Sequence, residues 1–369
     1  MLKQLIGIEE SAITQNIIEE SPSGEDPRTD TSPASVYFNL KDVRNSARAL
    51  ERSALVDNEP LLAFAHEWDP IIEQVPQVLA TQCKDLELTA WLIEALVRRF
   101  GFKGLTCGFN IARNLIEHHW ETVYPLPDED GLETRIAPLI GLNGFDGEGT
   151  LLMPIACIPL TECNTEQAYS LWEFEQACEV ERLEEAKRNQ RYQAGAVKLE
   201  EIQASVDASA PNFFAEAIDD VDHALESYTQ MIAALDKFSG APQPSSHIEK
   251  RLLACKEAML FLAQNKLAQC ELEAATEQAS STVVQEEHSP SQPKAAPQLT
   301  DRNEAIDELK KIARFFKATE PHSPMAYAIE QVVRWSDLAL PDLLQELIVD
   351  NDARAGYFRL TGINQKHQE

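Results

Sequence analysis

Glu320-Pro321-His322-Ser323-Pro324, set between two helical patterns and followed by Arg334-Trp335 and Leu340-Pro341-Asp342-Leu343-Leu344, decides how the C-terminal part of this chain folds. Upstream of it, Ile306, Leu309, Ile312, Phe315 and Phe316 recur at three- and four-residue steps, which predicts an amphipathic helix over 305–317. Glu320-Pro321 stops that helix. Ser323 is placed to cap a second one, whose first position, Pro324, has no N–H to lose and a φ already set for the turn. Met325, Ala328, Ile329, Val332, Val333 and Trp335 continue at helical spacing, and Pro341 opens a third helix with Leu343, Leu344, Leu347 and Ile348. Three helices this close together share one core. A unit so small and so rich in Leu, Ile, Phe and Trp has more apolar surface than a lone core can hide, so assembly with other copies is expected.

The bulk properties narrow the function. With 369 residues the chain is expected to hold two or three domains. Its 61 Asp and Glu against 32 Lys and Arg give a formal net charge of −29, which repels phosphate backbones and anionic lipid surfaces. No nucleic-acid partner is expected, since no basic stripe interleaved with aromatics stands out. Met1-Leu2-Lys3-Gln4-Leu5-Ile6 runs into Glu9-Glu10 and does not read as a secretory signal. The apolar run Leu151–Leu160 carries two prolines and falls far short of the ~20 residues of a membrane helix, so direct membrane insertion is not expected. Seven cysteines at irregular spacings read as reduced core thiols in a cytoplasmic protein.

Along the chain, a loop rich in Ser, Pro, Gly and Asp fills the end of residues 1–35. Helical spacing then covers 37–52, 60–80, 86–100 and 105–120, with Gly101, Gly104 and Gly108 at the last turn, so antiparallel neighbours are expected. Residues 136–160, with Gly141, Gly144, Gly147 and Gly149 before an apolar run, read as extended, supplying a strand or two. Asn164 with Gln167 resembles a capping box ahead of Ala168, Leu171, Phe174 and Cys178. Ile218, Val221, Leu225, Tyr228, Ile232 and Leu235 keep heptad spacing, Gly240 and two prolines turn the chain, and Ile248, Leu252, Cys255, Met259 and Leu262 return. That predicts a helical hairpin of about seven turns per arm, a strut or a dimerising arm. Residues 274–299 are too poor in aliphatics to offset the entropy of folding and read as a flexible linker.

No chemical site follows from the residues. His118-His119 point about 100° apart on a helix and cannot chelate one ion as an i, i+4 pair would. Cys157 and Cys163 lack a Cys-x-x-Cys partner and read as core thiols. His322 beside Ser323 and Glu320 serves the helix entry, and the glycines at 141–149 lack the Lys-Ser/Thr of a phosphate loop. No catalytic residue, cofactor or metal is expected. Gly24-Glu25-Asp26-Pro27-Arg28 is the more informative loop, because Gly24 allows positive φ and Arg28 is expected to be held between Asp26 and Asp30. A structural Asx-turn and a partner-docking loop remain equal readings of it. Trp68, Trp91, Trp120 and Trp335 are read as core anchors.

Two blocks together carry a family resemblance. Phe315, Thr319-Glu320-Pro321-His322-Ser323-Pro324, Arg334-Trp335, Leu340-Pro341 and Leu360-Thr361-Gly362 resemble the C-terminal segment of TssA (ImpA-like) subunits of the bacterial type VI secretion system. Ser23-Gly24-Glu25-Asp26-Pro27-Arg28-Thr29-Asp30 is similar to the Gly-Glu-Asp-x-Arg-Tyr-Asp signature of that family's N-terminal domain, with Thr29 where the family has an aromatic residue and Pro27 where it has an aliphatic one. Trp68, the helix around Trp91 and the run His119–Pro125 resemble the rest of that domain. The resemblance implies a non-enzymatic assembly subunit that forms a ring through its C-terminal domain. Its N-terminal domain would face baseplate, tube and sheath proteins. An unrecognised cytosolic hydrolase or transferase is the alternative. The expected fold is mainly α: an N-terminal helical domain over 1–160, a central helical hairpin over 161–273, the linker over 274–299, and a three-helix oligomerisation domain over 300–369. The candidate oligomerisation or packing residues are Phe315, Phe316, Glu320, Pro321, His322, Ser323, Pro324, Arg334, Trp335, Leu340, Pro341, Leu343 and Leu344. The candidate docking loop is Gly24, Glu25, Asp26, Arg28 and Asp30.

Overall fold

The structure, a computed structural model, describes residues 2–57, 59–129, 131–145, 147–164, 167–269, 302–319 and 324–336. The chain divides into two units, Met1–Val284 and Gln285–Glu369. In the first, the helices are α1 (Leu2–Ile6), α2 (Glu10–Thr14), α3 (Val36–Asp57), a 3₁₀ helix (Leu61–Trp68), α4 (Asp69–Thr81), α5 (Leu86–His119), α6 (Glu133–Asn143), α7 (Leu152–Ala156), α8 (Leu171–Glu181), α9 (Glu185–Gln193), α10 (Leu199–Ala208), α11 (Pro211–Ser239) and α12 (Ser246–Leu262). The second unit holds α13 (Arg302–Thr319) and α14 (Pro324–Ser336), so Pro324 does open a helix. The fold is mainly α.

The first unit is built on α5, whose two arms fold back on each other at Gly101, where φ is +55°. A Cβ on Gly104 would lie 2.1 Å from the Leu96 carbonyl oxygen and one on Gly108 2.6 Å from Ile93, so glycine alone permits this approach. The first arm is buried on nearly every side, from Leu86 to Arg98, which makes it the central helix of the core. The second arm receives α11 alongside it. Phe109 packs on Tyr228 at 5.0 Å and Trp120 on Phe238 at 5.8 Å between ring centroids.

A buried helix can carry charge only where partners reach it, and α3 supplies them. Arg44 makes two hydrogen bonds to the fully buried Glu94. One helical heptad on, Glu51 receives Arg98 and also the Trp68 indole N–H at 2.8 Å, while the Arg98 guanidinium lies 4.1 Å from the Trp68 ring centroid. Arg98 also donates to the Glu94 carbonyl at 2.6 Å. These long side chains fix the register of α3 on α5 and hold the 3₁₀ helix against both.

The N-terminal helices are tied in through His119, whose Nε2–H donates to the Thr14 carbonyl at 2.8 Å. Burial lowers the His119 pKa, and nearby Lys84 and His118 lower it further against the Thr14 bond, so the ring stays neutral at physiological pH. Lys84 is itself enclosed, donating to the Leu79 carbonyl at 2.7 Å, and burial pulls it down to about 8.

Several expectations change. Residues 136–160 are not extended: α6 and α7 are helical, and among the described residues extended backbone pairs only in isolated bridges. Gly144, at φ +82°, ends α6, and the apolar run then packs as the short helix α7. The capping box lies at Ser170 and Glu173, whose carboxylate accepts the Ser170 N–H at 2.9 Å, and not at Asn164 and Gln167. Asn164 instead donates to Glu162 and the Ala208 carbonyl.

The hairpin of α11 and α12 is present but does not stand free, because Val221, Tyr228, Leu235, Ile248, Leu252 and Met259 belong to the same core as α5. Its arms are unequal, about eight turns against about five before a break at Ala263. Asn143 fastens it. The Asn143 side-chain oxygen accepts the N–H groups of His247 and Ile248 at 3.0 and 2.9 Å, capping α12 from the end of α6. Of the tryptophans read as anchors, Trp68, Trp91 and Trp120 are buried and Trp335 is half-buried.

Because Glu51 and Arg98 are both enclosed, removing one leaves the other's charge uncompensated. Glu51→Gln and Arg98→Met should each lower unfolding free energy by roughly 3 kcal/mol, and the double variant should lose clearly less than the sum. Urea denaturation of the four proteins measures this coupling, and strict additivity would remove the ladder from the account.

Candidate functional site

The loop from Ser21 to Asp30 is sewn into the first unit by its backbone. Lys84 N–H donates to the Ser23 carbonyl at 2.9 Å, Tyr124 N–H to the Lys84 carbonyl at 2.9 Å, and Leu86 N–H to the Tyr124 carbonyl at 2.7 Å. Ser23 and Thr122 share a hydroxyl–hydroxyl bond at 2.7 Å, and the Gly24 carbonyl accepts from Ser21 and Tyr124 hydroxyls at 2.6 and 3.2 Å. Gly24 itself sits at φ +73°, and a Cβ there would fall 1.9 Å from the Gln82 carbonyl oxygen. No other residue fits.

Past that anchor, Asp26 forms the Asx-turn: its carboxylate accepts the Arg28 N–H and an Arg28 guanidinium N–H, both at 3.0 Å. Asp30 does not hold Arg28. It caps its own chain, accepting the Ser32 N–H at 3.0 Å, which lowers its pKa. Arg28 reaches instead to Asp85 and Glu87 on the start of α5, at 2.7 Å each, and lies 4.9 Å from the centre of the Tyr37 ring. The Tyr37 hydroxyl donates to the same Glu87 oxygen at 2.8 Å. The sequence does carry a signal for these partners, since Asp85 precedes the apolar run of α5 as an N-cap residue must, and its carboxylate accepts the Leu88 N–H at 2.8 Å.

Electrostatics make this cluster one unit. Burial works against the charge of Arg28, but Asp85 and Glu87 outweigh it and raise its pKa further. Burial likewise lifts the Asp85 carboxyl to about 6, against the pull of Arg28 and the Leu88 amide. Each charge is held by the other.

Beside this cluster lies a cleft of about 350 Å³ whose walls include Val36, Tyr37, Val78 and Leu88, with Asp26 and Asp30 at its edge. It offers carboxylates over apolar walls. Its thiol, Cys83, is pushed up to about 12 by burial and is no nucleophile at neutral pH. Such a cleft can receive a cationic or amphipathic side chain.

In the second unit, α13 and α14 leave Ile312, Phe315, Tyr327 and Val332 exposed, and Phe315 is 62% accessible. Phe315 meets Phe316 edge-on at 5.7 Å, and Lys317 on α13 pairs with Glu330 on α14 at 2.8 Å. Arg334 is exposed and Trp335 half-buried. Glu320, Pro321, His322, Ser323, Leu340, Pro341, Leu343 and Leu344 lie outside the described residues, as does the segment 274–299.

The remaining candidates for chemistry are dispersed. His118 donates to the Asn114 carbonyl at 2.9 Å while His119 turns to Thr14. Cys83, Cys107 and Cys255 are buried, Cys157 and Cys178 half-buried, and Cys163 is exposed rather than a core thiol. Burial pushes Cys157 and Cys255 up to about 12. Among the described residues no three His, Cys, Asp or Glu side chains cluster to hold a metal ion, and no helix is long and apolar enough to cross a membrane.

Comparison with known proteins agrees with this loop and fold. Residues 14–144 match the family model described as ImpA, N-terminal, type VI secretion system. The chain is 23% identical over 322 residues to the type VI secretion system component TssA1 of Pseudomonas aeruginosa, covering 84% of this chain and 90% of that protein. Its fold is similar, at a TM-score of 0.57 and 23% identity, to the N-terminal domain of the TssA component of Burkholderia cenocepacia that includes the conserved ImpA N-terminal region, covering 70% of this chain and 95% of that one. The Gly24–Arg28 loop lies inside the segment matched by the ImpA N-terminal family model, and the similarity to the TssA1 component runs on through most of the chain.

Proposed function

We propose that this chain is a non-enzymatic, cytoplasmic assembly subunit of a type VI secretion apparatus, which joins copies of itself into a ring through residues 300–369 and binds baseplate, tube and sheath proteins through its first unit. The observation that carries the self-association is the set of apolar side chains that α13 and α14 leave exposed. Phe315, Tyr327, Val332 and Ile312 are all more than 40% accessible on two short helices, and a helix pair stabilised only by its own contacts would be expected to turn such side chains inward. Rings follow from heterologous contacts that close. Phe316, Arg334 and Trp335, with the helix entry at Glu320 to Pro324 and the segment Leu340 to Leu344, are proposed to build the rest of that contact or the core beneath it.

Light scattering on the purified full chain should give a mass several times that of the protomer, and residues 300–369 alone should keep the same multiplicity. Phe315→Ser combined with Tyr327→Ser should reduce the particle to protomers while circular dichroism stays helical, because both side chains are exposed within their own unit. A full chain that runs as a monomer overturns the reading.

The loop of Gly24, Glu25, Asp26, Arg28 and Asp30 is proposed as a partner-docking element, presented in one conformation by the Arg28 cluster. Its rigidity is testable through pH. The folded-state pKa of Asp85 is raised to about 6 from 3.8, so the folded protein holds that proton more tightly and ionisation of Asp85 lowers stability as pH rises through this window. Relative to Asp85→Asn, the wild type should therefore lose on the order of 2–3 kcal/mol between pH 4 and pH 6, with no further change above. Paired urea titrations across that range check it; a gap that is flat, or that grows in favour of the wild type with rising pH, contradicts desolvation as the dominant influence on Asp85.

A further inference from the structure

In a chain of net charge −29, α3 carries a stripe of the opposite sign. Lys41, Arg44, Arg48 and Arg52 stand at i, i+3, i+7 and i+11, which brings all four to one side of the helix over about 17 Å. The carboxylates within reach are already engaged: Glu94 with Arg44, and Glu51 with Arg98 and Trp68. Arg48 is half-buried between these pairs and has no hydrogen bond or salt bridge among the described residues. Burial first, and then the neighbouring charges of Arg44, Arg98 and Arg52, lower its pKa against the single pull of Glu94. A partly exposed apolar side chain lies beside the stripe on the same helix, Phe38 at 38% accessible.

An arginine placed among arginines without a counter-ion burdens the fold and is ready for an anion supplied from outside. We propose that the edge of α3 that carries Arg48 and Arg52 docks an acidic helical segment of a partner protein, with Arg48 and Arg52 taking its carboxylates and Phe38 meeting an apolar position. A carboxylate matches the guanidinium fork in two-point contact. The chain's overall negative charge works against a phosphodiester backbone or an anionic membrane, whose charge is long and continuous, far more than against a helix of three turns. The surface belongs to the first unit and does not depend on ring formation.

The test uses the full-length protein and a fluorescein-labelled helical peptide of three to four turns, with glutamates at i, i+4, i+7 and i+11 and leucines between, read by anisotropy at low salt. Binding should weaken with added salt, vanish for the twin peptide with glutamine at those positions, fall about tenfold or more for Arg48→Glu, and survive largely in Arg48→Lys. Arg48→Gln should leave the melting temperature unchanged or raise it, whereas Arg44→Gln should lower it. The proposal is overturned if the wild type does not bind the peptide, if Arg48→Glu binds as the wild type does, or if Arg48→Gln melts as low as Arg44→Gln. It is also overturned if a single-stranded oligonucleotide or phosphatidylserine vesicles bind the stripe in preference to the peptide.

Discussion

The first arm of α5 is enclosed by protein along most of its length and yet carries Glu87, Glu94 and Arg98, so each of these charges must be met by a partner delivered from elsewhere in the chain. Arg28 and Tyr37 come to Glu87, Arg44 to Glu94, and Glu51 to Arg98. On α3, Tyr37, Arg44 and Glu51 are spaced by sevens, and on α5, Glu87 and Glu94 are too, so the two helices run in the same direction with their bonded positions in step. A slip of one residue would leave buried charges unpaired. Hydrophobic burial makes the core compact, but this ladder decides which of many compact arrangements is kept.

The return of α5 at Gly101 has a comparable consequence for the other side of the core. Close contact between the arms leaves the outer surface of the second arm open, and α11 fills it with Tyr228 and Phe238. Asn143 then brings α12 in by capping its first turn, so that the hairpin of α11 and α12 becomes a layer of the core. A heptad pattern alone does not distinguish a free coiled arm from a pair of helices laid on a third. What distinguishes them is that Val221, Tyr228 and Leu235 are buried outright while Ile218, Leu225 and Ile232 are only half-covered.

Much of this was legible in the sequence, and the failures share a cause. Helices over 37–52, 86–100, 105–120 and the hairpin were legible because their apolar residues recur over many turns, where periodicity is unambiguous. Residues 136–160 misled because a short apolar run with glycines around it fits strand and buried helix alike; Gly144 at φ +82° ends a helix there and opens no strand. Loop spacing places Arg28 between Asp26 and Asp30; Asp26 does hold it, but Asp30 is exposed and satisfied by Ser32, while Asp85 is desolvated and needs a cation. Local pairing in sequence is a weaker force than an unmet charge in the interior. That interior partner lies 57 residues away, beyond what spacing can reveal.

The same pairing sets the sign of the exposed surfaces. Because Arg28 is drawn down onto Asp85 and Glu87, the loop that carries it presents Glu25 and Asp30 outward with no cation between them, and the neighbouring cleft has an acidic edge. Because Glu94 is engaged by Arg44 and Glu51 by Arg98, α3 is left with Arg48 and Arg52 without a direct ion-pair partner among the described residues along one edge. Net charge describes neither surface. Regions of opposite sign on one unit exclude each other's ligands by repulsion as well as attracting their own. The buried ladder that fixes the fold thereby also determines which charges remain for recognition.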